Sequence, residues 1–128
     1  MNISLSHLLF IASGGALGAV FRYLVSNGVH TFLSRGFPFG TLTVNVVGSF
    51  IMGVCYVWLI ERLSLSSEWR AFIIVGLLGA FTTFSTFSIE TLELLLSNHF
   101  AKALLNIVAS VFLCILGSWL GVILARQF

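Results

Sequence analysis

The chain has no aspartate, a single proline, and only six basic and four acidic side chains among 128 residues. So little charge excludes the hydrated exterior of a water-soluble domain. The net charge is +2 and no run of basic residues occurs, so nothing invites nucleic acid. Two cysteines, Cys55 and Cys114, both fall inside apolar stretches, where they read as small core residues and not as a disulfide framework. What is present is apolar: 59% of residues are hydrophobic and the mean hydropathy is +1.11, which places the chain in the membrane class.

Four apolar stretches are each near the ~20 residues that a bilayer demands. They run over residues 8–32, 39–60, 71–96 and 103–125. Almost nothing lies outside them, which leaves no room for a soluble catalytic domain and argues against an enzyme. The N-terminal run lacks the positive flank of a secretory signal and is too long for a signal core, so it is expected to persist as the first span. The connections are short: Ser34 to Pro38, Glu61 to Arg70, and Ser97 to His99. Pro38 suits a first helical turn, and Ser66 or Ser67 suits an N-cap. With no internal repeat, the expectation is an all-α membrane protein, one four-helix domain over residues 1–128.

One of these spans cannot simply dissolve in lipid. Gly79-Ala80-Phe81-Thr82-Thr83-Phe84-Ser85-Thr86-Phe87-Ser88 packs five hydroxyls into the third span behind Gly76. Hydrocarbon offers hydroxyls no partner, so they must meet protein, ions or an aqueous path. The glycines would let the backbone leave helical geometry at membrane depth, which is tolerated where it lines a cavity. The reading is a third helix broken near Gly76 and Gly79, with Phe84 and Phe87 on one face of the part that resumes.

Other polar residues join this run. In span four, Asn106, Ser110, Cys114 and Ser118 recur every fourth residue and share one face. They are either tight packing with hydroxyls bonded to their own helix or one wall of a polar track. Asn45 in span two is either an interhelical clasp or an amide donor to a passing anion. Arg22, inside span one, either snorkels to the interface or makes a positive mouth. Glu93 is expected at the interface and Glu90 against Asn106 or another polar group of span four. The small pairs Gly14/Gly18 and Gly117/Gly121 mark close helix packing and speak for assembly. Basic residues are nearly balanced: Arg62, Arg70 and Arg126 on one side, Arg35 and Lys102 with Arg22 on the other. That balance gives the positive-inside rule no preferred direction. It allows insertion both ways and an antiparallel homodimer.

The segments Gly14–Tyr23, Gly40–Asn45 through Phe50, and Gly79 with Thr82–Ser88 and Glu90 together resemble the Fluc family of bacterial fluoride channels. The resemblance is close over spans one to three and looser over span four. It implies a dual-topology homodimer with two antiparallel pores that lets fluoride leave passively through the bacterial inner membrane. It also implies that Phe84 and Phe87 face the pores and that Asn45 lies along the ion path. Ser110 and Ser118 are the matching hydroxyls of span four, and Ser85, Thr86, Arg22 and Glu90 complete the expected pathway. Backbone carbonyls of Gly79 and Thr82 would hold a structural Na⁺ on the dimer axis. Asn106 stands where some members carry an aromatic, and Cys114 where a hydroxyl is possible.

The chemistry fits independently. Fluoride is small and strongly hydrated, so a selective path must replace water with hydroxyls, amide NH₂ groups and the positive edges of aromatic rings. Weak successive sites let the ion leave again. The alternative from another class is a small dual-topology multidrug antiporter, which needs a carboxylate in its first span; span one has Arg22 and no acid. A non-transporting assembly subunit leaves the hydroxyl run unexplained.

Overall fold

The computed structural model describes residues 4–63 and 65–128, and all regular structure among them is helical. Helix α1 covers Leu5–Phe32 and α2 covers Phe39–Arg62. The third span, Ser67–Leu96, is two helices: α3 (residues 67–81) and α4 (Phe84–Leu96). Helix α5 covers Phe100–Gln127. At 1.5 Å per residue, the four spans, 24 to 30 residues long, all exceed the ~30 Å of hydrocarbon. The protein is a multi-pass membrane protein. Its helices run three or more residues past most of the apolar stretches because helix geometry continues into the polar flanks. Between the second and third spans, helix therefore reaches Arg62 on one side and resumes at Ser67 on the other.

Glycine sets how the helices meet. A Cβ on Gly14 would overlap the Phe72 carbonyl, and one on Gly18 the Leu77 carbonyl, so α1 lies backbone-to-backbone on α3. On the other side, Cβ atoms on Gly53 and Gly121 would overlap the carbonyls of Ser118 and Phe50, which seats α5 on α2. In lipid no hydrophobic force drives helices together, so such close approach supplies the van der Waals contact. Both small-residue pairs thus serve packing within the chain.

Two stretches are wound as π-helix: Tyr56–Arg62, ending α2, and Ala71–Leu78 within α3. Asn98 takes the left-handed conformation (φ 59°) between α4 and α5, where amides of Asn98 and His99 bond back to Leu95 and Leu94 carbonyls at 3.0 and 2.8 Å. Charges sit at the two ends. At one, Arg126 meets Glu61 at 2.8 Å and Arg62 donates to the Arg126 carbonyl at 2.9 Å. At the other, Lys102 donates to the Gly36 carbonyl at 3.0 Å.

Candidate functional site

The break in the third span lies at Thr82–Thr83, not at Gly76 or Gly79. Gly79 is ordinary right-handed helix (φ −63°, ψ −36°), whereas Thr82 and Thr83 are extended (ψ 157° and 116°). Gly76 does not unwind because it is used for packing: a Cβ there would sit 2.6 Å from the Ile11 carbonyl, whereas one on Gly79 would meet only the Ile74 carbonyl of its own span at 3.6 Å. Threonine is β-branched and tolerates extended backbone well. Asn45 supplies the second cause. Its Oδ1 accepts from the Thr83 amide at 2.7 Å and its Nδ2 donates to the Thr83 carbonyl at 2.9 Å. One side chain thus satisfies both backbone polar groups of Thr83, as an interhelical clasp does.

Helix α4 then restarts with its own cap. Thr83 Oγ1 accepts from the Thr86 amide at 3.2 Å and donates to Thr86 Oγ1 at 3.0 Å. On the α3 side, Thr82 Oγ1 bonds back to the Leu78 carbonyl at 3.0 Å. Among the described residues, no backbone amide reaches the carbonyls of Gly79 or Thr82. The break therefore presents two opposite ends. The end of α3 offers free carbonyls, which suit a cation. The start of α4 offers amides at the positive end of a helix dipole, which suit an anion.

Beside the break runs a groove of about 340 Å³ whose wall includes Asn45, Ser49, Thr83, Phe84, Phe87, Ser110, Cys114 and Ser118. The expected residues Asn45, Phe84, Phe87, Ser110 and Ser118 thus come together on one side of α4. The Phe84 and Phe87 rings are 5.3 Å apart, but they differ in setting: Phe87 is buried and Phe84 is 77% exposed. Ser118 donates to the Ser49 carbonyl at 3.1 Å, which ties the lower groove shut between α2 and α5.

Four expected residues lie elsewhere. Arg22 and Thr86 line a separate cavity of about 370 Å³, with Tyr23, Ser26 and Thr41. Ser85 is exposed beside the break, its hydroxyl 3.4 Å from Thr83 Oγ1. Glu90 lines a third cavity with His30, Arg35, Glu93, His99 and Lys102, near the end of the molecule that carries Lys102. Its partner is not Asn106. Thr41 donates to Glu90 Oε1 at 2.8 Å, and Asn106 bonds to Thr91 at 2.9 Å. Consecutive residues on a helix point about 100° apart, so Glu90 turns to α2 while Thr91 turns to α5.

A model of the family described as CrcB-like protein, Camphor Resistance (CrcB), matches residues 9–122, nearly the whole helical body. The chain belongs to the CrcB-like family. Among curated relatives, the fluoride-specific ion channel FluC of Magnetococcus marinus is 50% identical over 93% of this chain and 97% of its own length. That of Coxiella burnetii is 46% identical, covering 94% and 98%. A Methylococcus capsulatus relative of the same name is 52% identical over 99% of this chain, which spans only 54% of that longer protein.

Within this CrcB-like chain, sequence reasoning missed three residues of the site. Thr83 is the residue that Asn45 holds, and Ser49 lends its carbonyl to Ser118. Thr91 links α4 to Asn106. A usable signal existed for Thr83 alone, because a threonine immediately before an apolar helical run is an N-cap pattern.

Proposed function

We propose that this protein is a fluoride channel that lets fluoride leave the cytoplasm passively across a bacterial inner membrane. The observation that carries the proposal is the groove beside a helix break, where Asn45, Phe84, Phe87 and the hydroxyls of α5 converge on the amide end of α4. Hydroxyls, helix-terminal amides and ring edges are the donors that can replace the hydration of a small hard anion. The curated relatives named as fluoride-specific channels support this choice of ion. The antiporter alternative has no support, since α1 holds Arg22 and no acid. The test is fluoride efflux from liposomes holding the purified protein, with and without a proton gradient. Efflux that proceeds without the gradient is expected, and efflux that requires it contradicts a passive channel.

The working form in this proposal is an antiparallel homodimer with two pores. Ser85 and Ser88 are exposed on the surface of a single chain at membrane depth, beside the exposed Phe84 ring. Ser88 donates to the Phe84 carbonyl at 2.9 Å, but Ser85 has only a long 3.4 Å contact to Thr83 Oγ1; lipid cannot improve on it, and a second copy can close the groove. The near balance of Arg62, Arg70 and Arg126 against Arg35 and Lys102 supports insertion in both directions. Single cysteines placed near Arg35 and near Arg62 should both react with an impermeant reagent outside intact cells. Reaction at only one of them contradicts dual topology.

A structural Na⁺ belongs to the same proposal. Among the described residues no backbone amide reaches the Gly79 and Thr82 carbonyls, and carbonyl oxygens are hard donors suited to such an ion. Bound there, Na⁺ would supply a fixed positive charge close to the anion path. Asn45 holds the break open at Thr83, and the α5 hydroxyls line the groove.

A further inference from the structure

Asn106 lies behind the groove and not on it. It is 1% exposed and both of its polar atoms are engaged: Nδ2 donates to Thr91 Oγ1 at 2.9 Å, and Oδ1 accepts from Ser110 Oγ at 3.4 Å. The direction of these bonds is fixed by a carbonyl. Thr91 lies 2.7 Å from the Phe87 carbonyl, which can only accept, so the Thr91 hydroxyl must donate there. Only lone pairs of Thr91 then remain for Asn106, so the amide nitrogen faces Thr91 and Oδ1 faces Ser110. Ser110 in turn must give its one proton to Asn106. The chain of bonds runs one way, from Ser110 through Asn106 and Thr91 to the Phe87 carbonyl.

We infer that Asn106 is a positioning residue that holds the Ser110 proton away from the groove and so weakens the anion site at Ser110. This rests on the channel reading. An anion at the groove wall needs the proton that Ser110 has committed to Asn106, and it must draw that proton over. The bond given up is long, at 3.4 Å, so the exchange is easy and reversible. A hydroxyl with a waiting intramolecular acceptor binds fluoride less tightly than a free one. It also releases the ion sooner, as conduction requires.

Removing the acceptor gives a result opposite to ordinary damage. In Asn106→Leu the Ser110 proton is free to face the groove. The half-saturating fluoride concentration for current across a lipid bilayer should fall about 2- to 3-fold, the low end of one net hydrogen bond, because the bond removed is long. The maximal current should fall with it, because exit slows. Thr91→Val is a second route that spares Asn106. Without the Thr91 hydroxyl the amide can turn its NH₂ to Ser110, which again frees the Ser110 proton. The half-saturating concentration should move the same way by a smaller factor.

Both variants are measured alone and combined with Ser110→Ala, on the full chain. The inference requires that the shift disappear when Ser110 is replaced. A clasp of purely structural value would lower the number of active channels and leave the half-saturating concentration unchanged. That outcome, or a shift that persists in the Ser110→Ala background, overturns the inference. If the unaltered protein conducts fluoride and Ser110→Ala leaves its concentration dependence intact, the inference fails while the channel reading stands. If the unaltered protein carries no fluoride current, both fall.

Discussion

Asn45→Leu removes the one side chain that bonds both polar groups of Thr83. Two hydrogen bonds are lost, at 2.7 and 2.9 Å, and leucine fills nearly the same space without replacing either. Inside membranes such bonds average about 0.6 kcal/mol each, so the pair sets a floor of about 1 kcal/mol. If no water reaches the Thr83 amide and carbonyl, each also bears a desolvation penalty of about 1–3 kcal/mol, for a ceiling of about 6 kcal/mol. The groove opens beside the break, so water can reach it, and a value in the lower half of this range is expected. Asn45→Asp separates the two bonds. As a carboxylate it can still accept from the Thr83 amide, but it cannot donate to the Thr83 carbonyl and sets an oxygen against it. Thermal unfolding of the purified protein in detergent, followed by intrinsic tryptophan fluorescence, reads the loss in both variants. Fluoride efflux on the same preparations reads whether the break still conducts. Both variants should melt earlier and conduct little. Variants as stable and as active as the parent would refute the claim that Asn45 holds the break.

Phe84→Ile and Phe87→Ile should both slow fluoride flux, because the positive ring edge disappears while the space stays filled. Phe84 is largely exposed in one chain and Phe87 is buried, so only the second should lose stability, about 1–2 kcal/mol. Normal flux in both would leave Asn45 and the hydroxyls to carry the ion. Gly18→Ala and Gly121→Ala should each destabilise by about 1–3 kcal/mol, because the new methyl meets a neighbouring helix's backbone. Gly15→Ala, with open space around it, should be neutral or slightly stabilising, and equal melting of all three would contradict the packing described. Complete replacement of Na⁺ by a large organic cation should weaken the dimer or stop flux slowly. Unchanged dimer and flux would remove the cation from the account.

The four spans were legible because hydropathy over about twenty residues is a strong and local signal. The convergence of Asn45, Phe84, Phe87, Ser110 and Ser118 was legible in kind, since polar residues at membrane depth must find one another. The position of the break was not. Glycine at Gly76 and Gly79 permits unwinding, but it equally permits helix and close packing, and at Gly76 only the neighbouring α1 backbone decides between them. The partner of Glu90 was misread for a related reason. One residue's rotation about a helix selects Thr41 on α2 or a group on α5, and sequence spacing within α4 does not carry that information. Arg22 and Thr86 line a cavity that meets the groove only at Thr83, and Glu90 lines another.

The path at the helix break should prefer a small hydrated anion over a larger soft one. The most direct measurement is the reversal potential of a bilayer carrying the protein, with fluoride on one side and chloride on the other at equal concentration. Donors built to replace the hydration of fluoride predict a large reversal potential of the sign for fluoride permeation, with no measurable chloride current. A reversal potential near zero, or one of the chloride sign, would contradict the account.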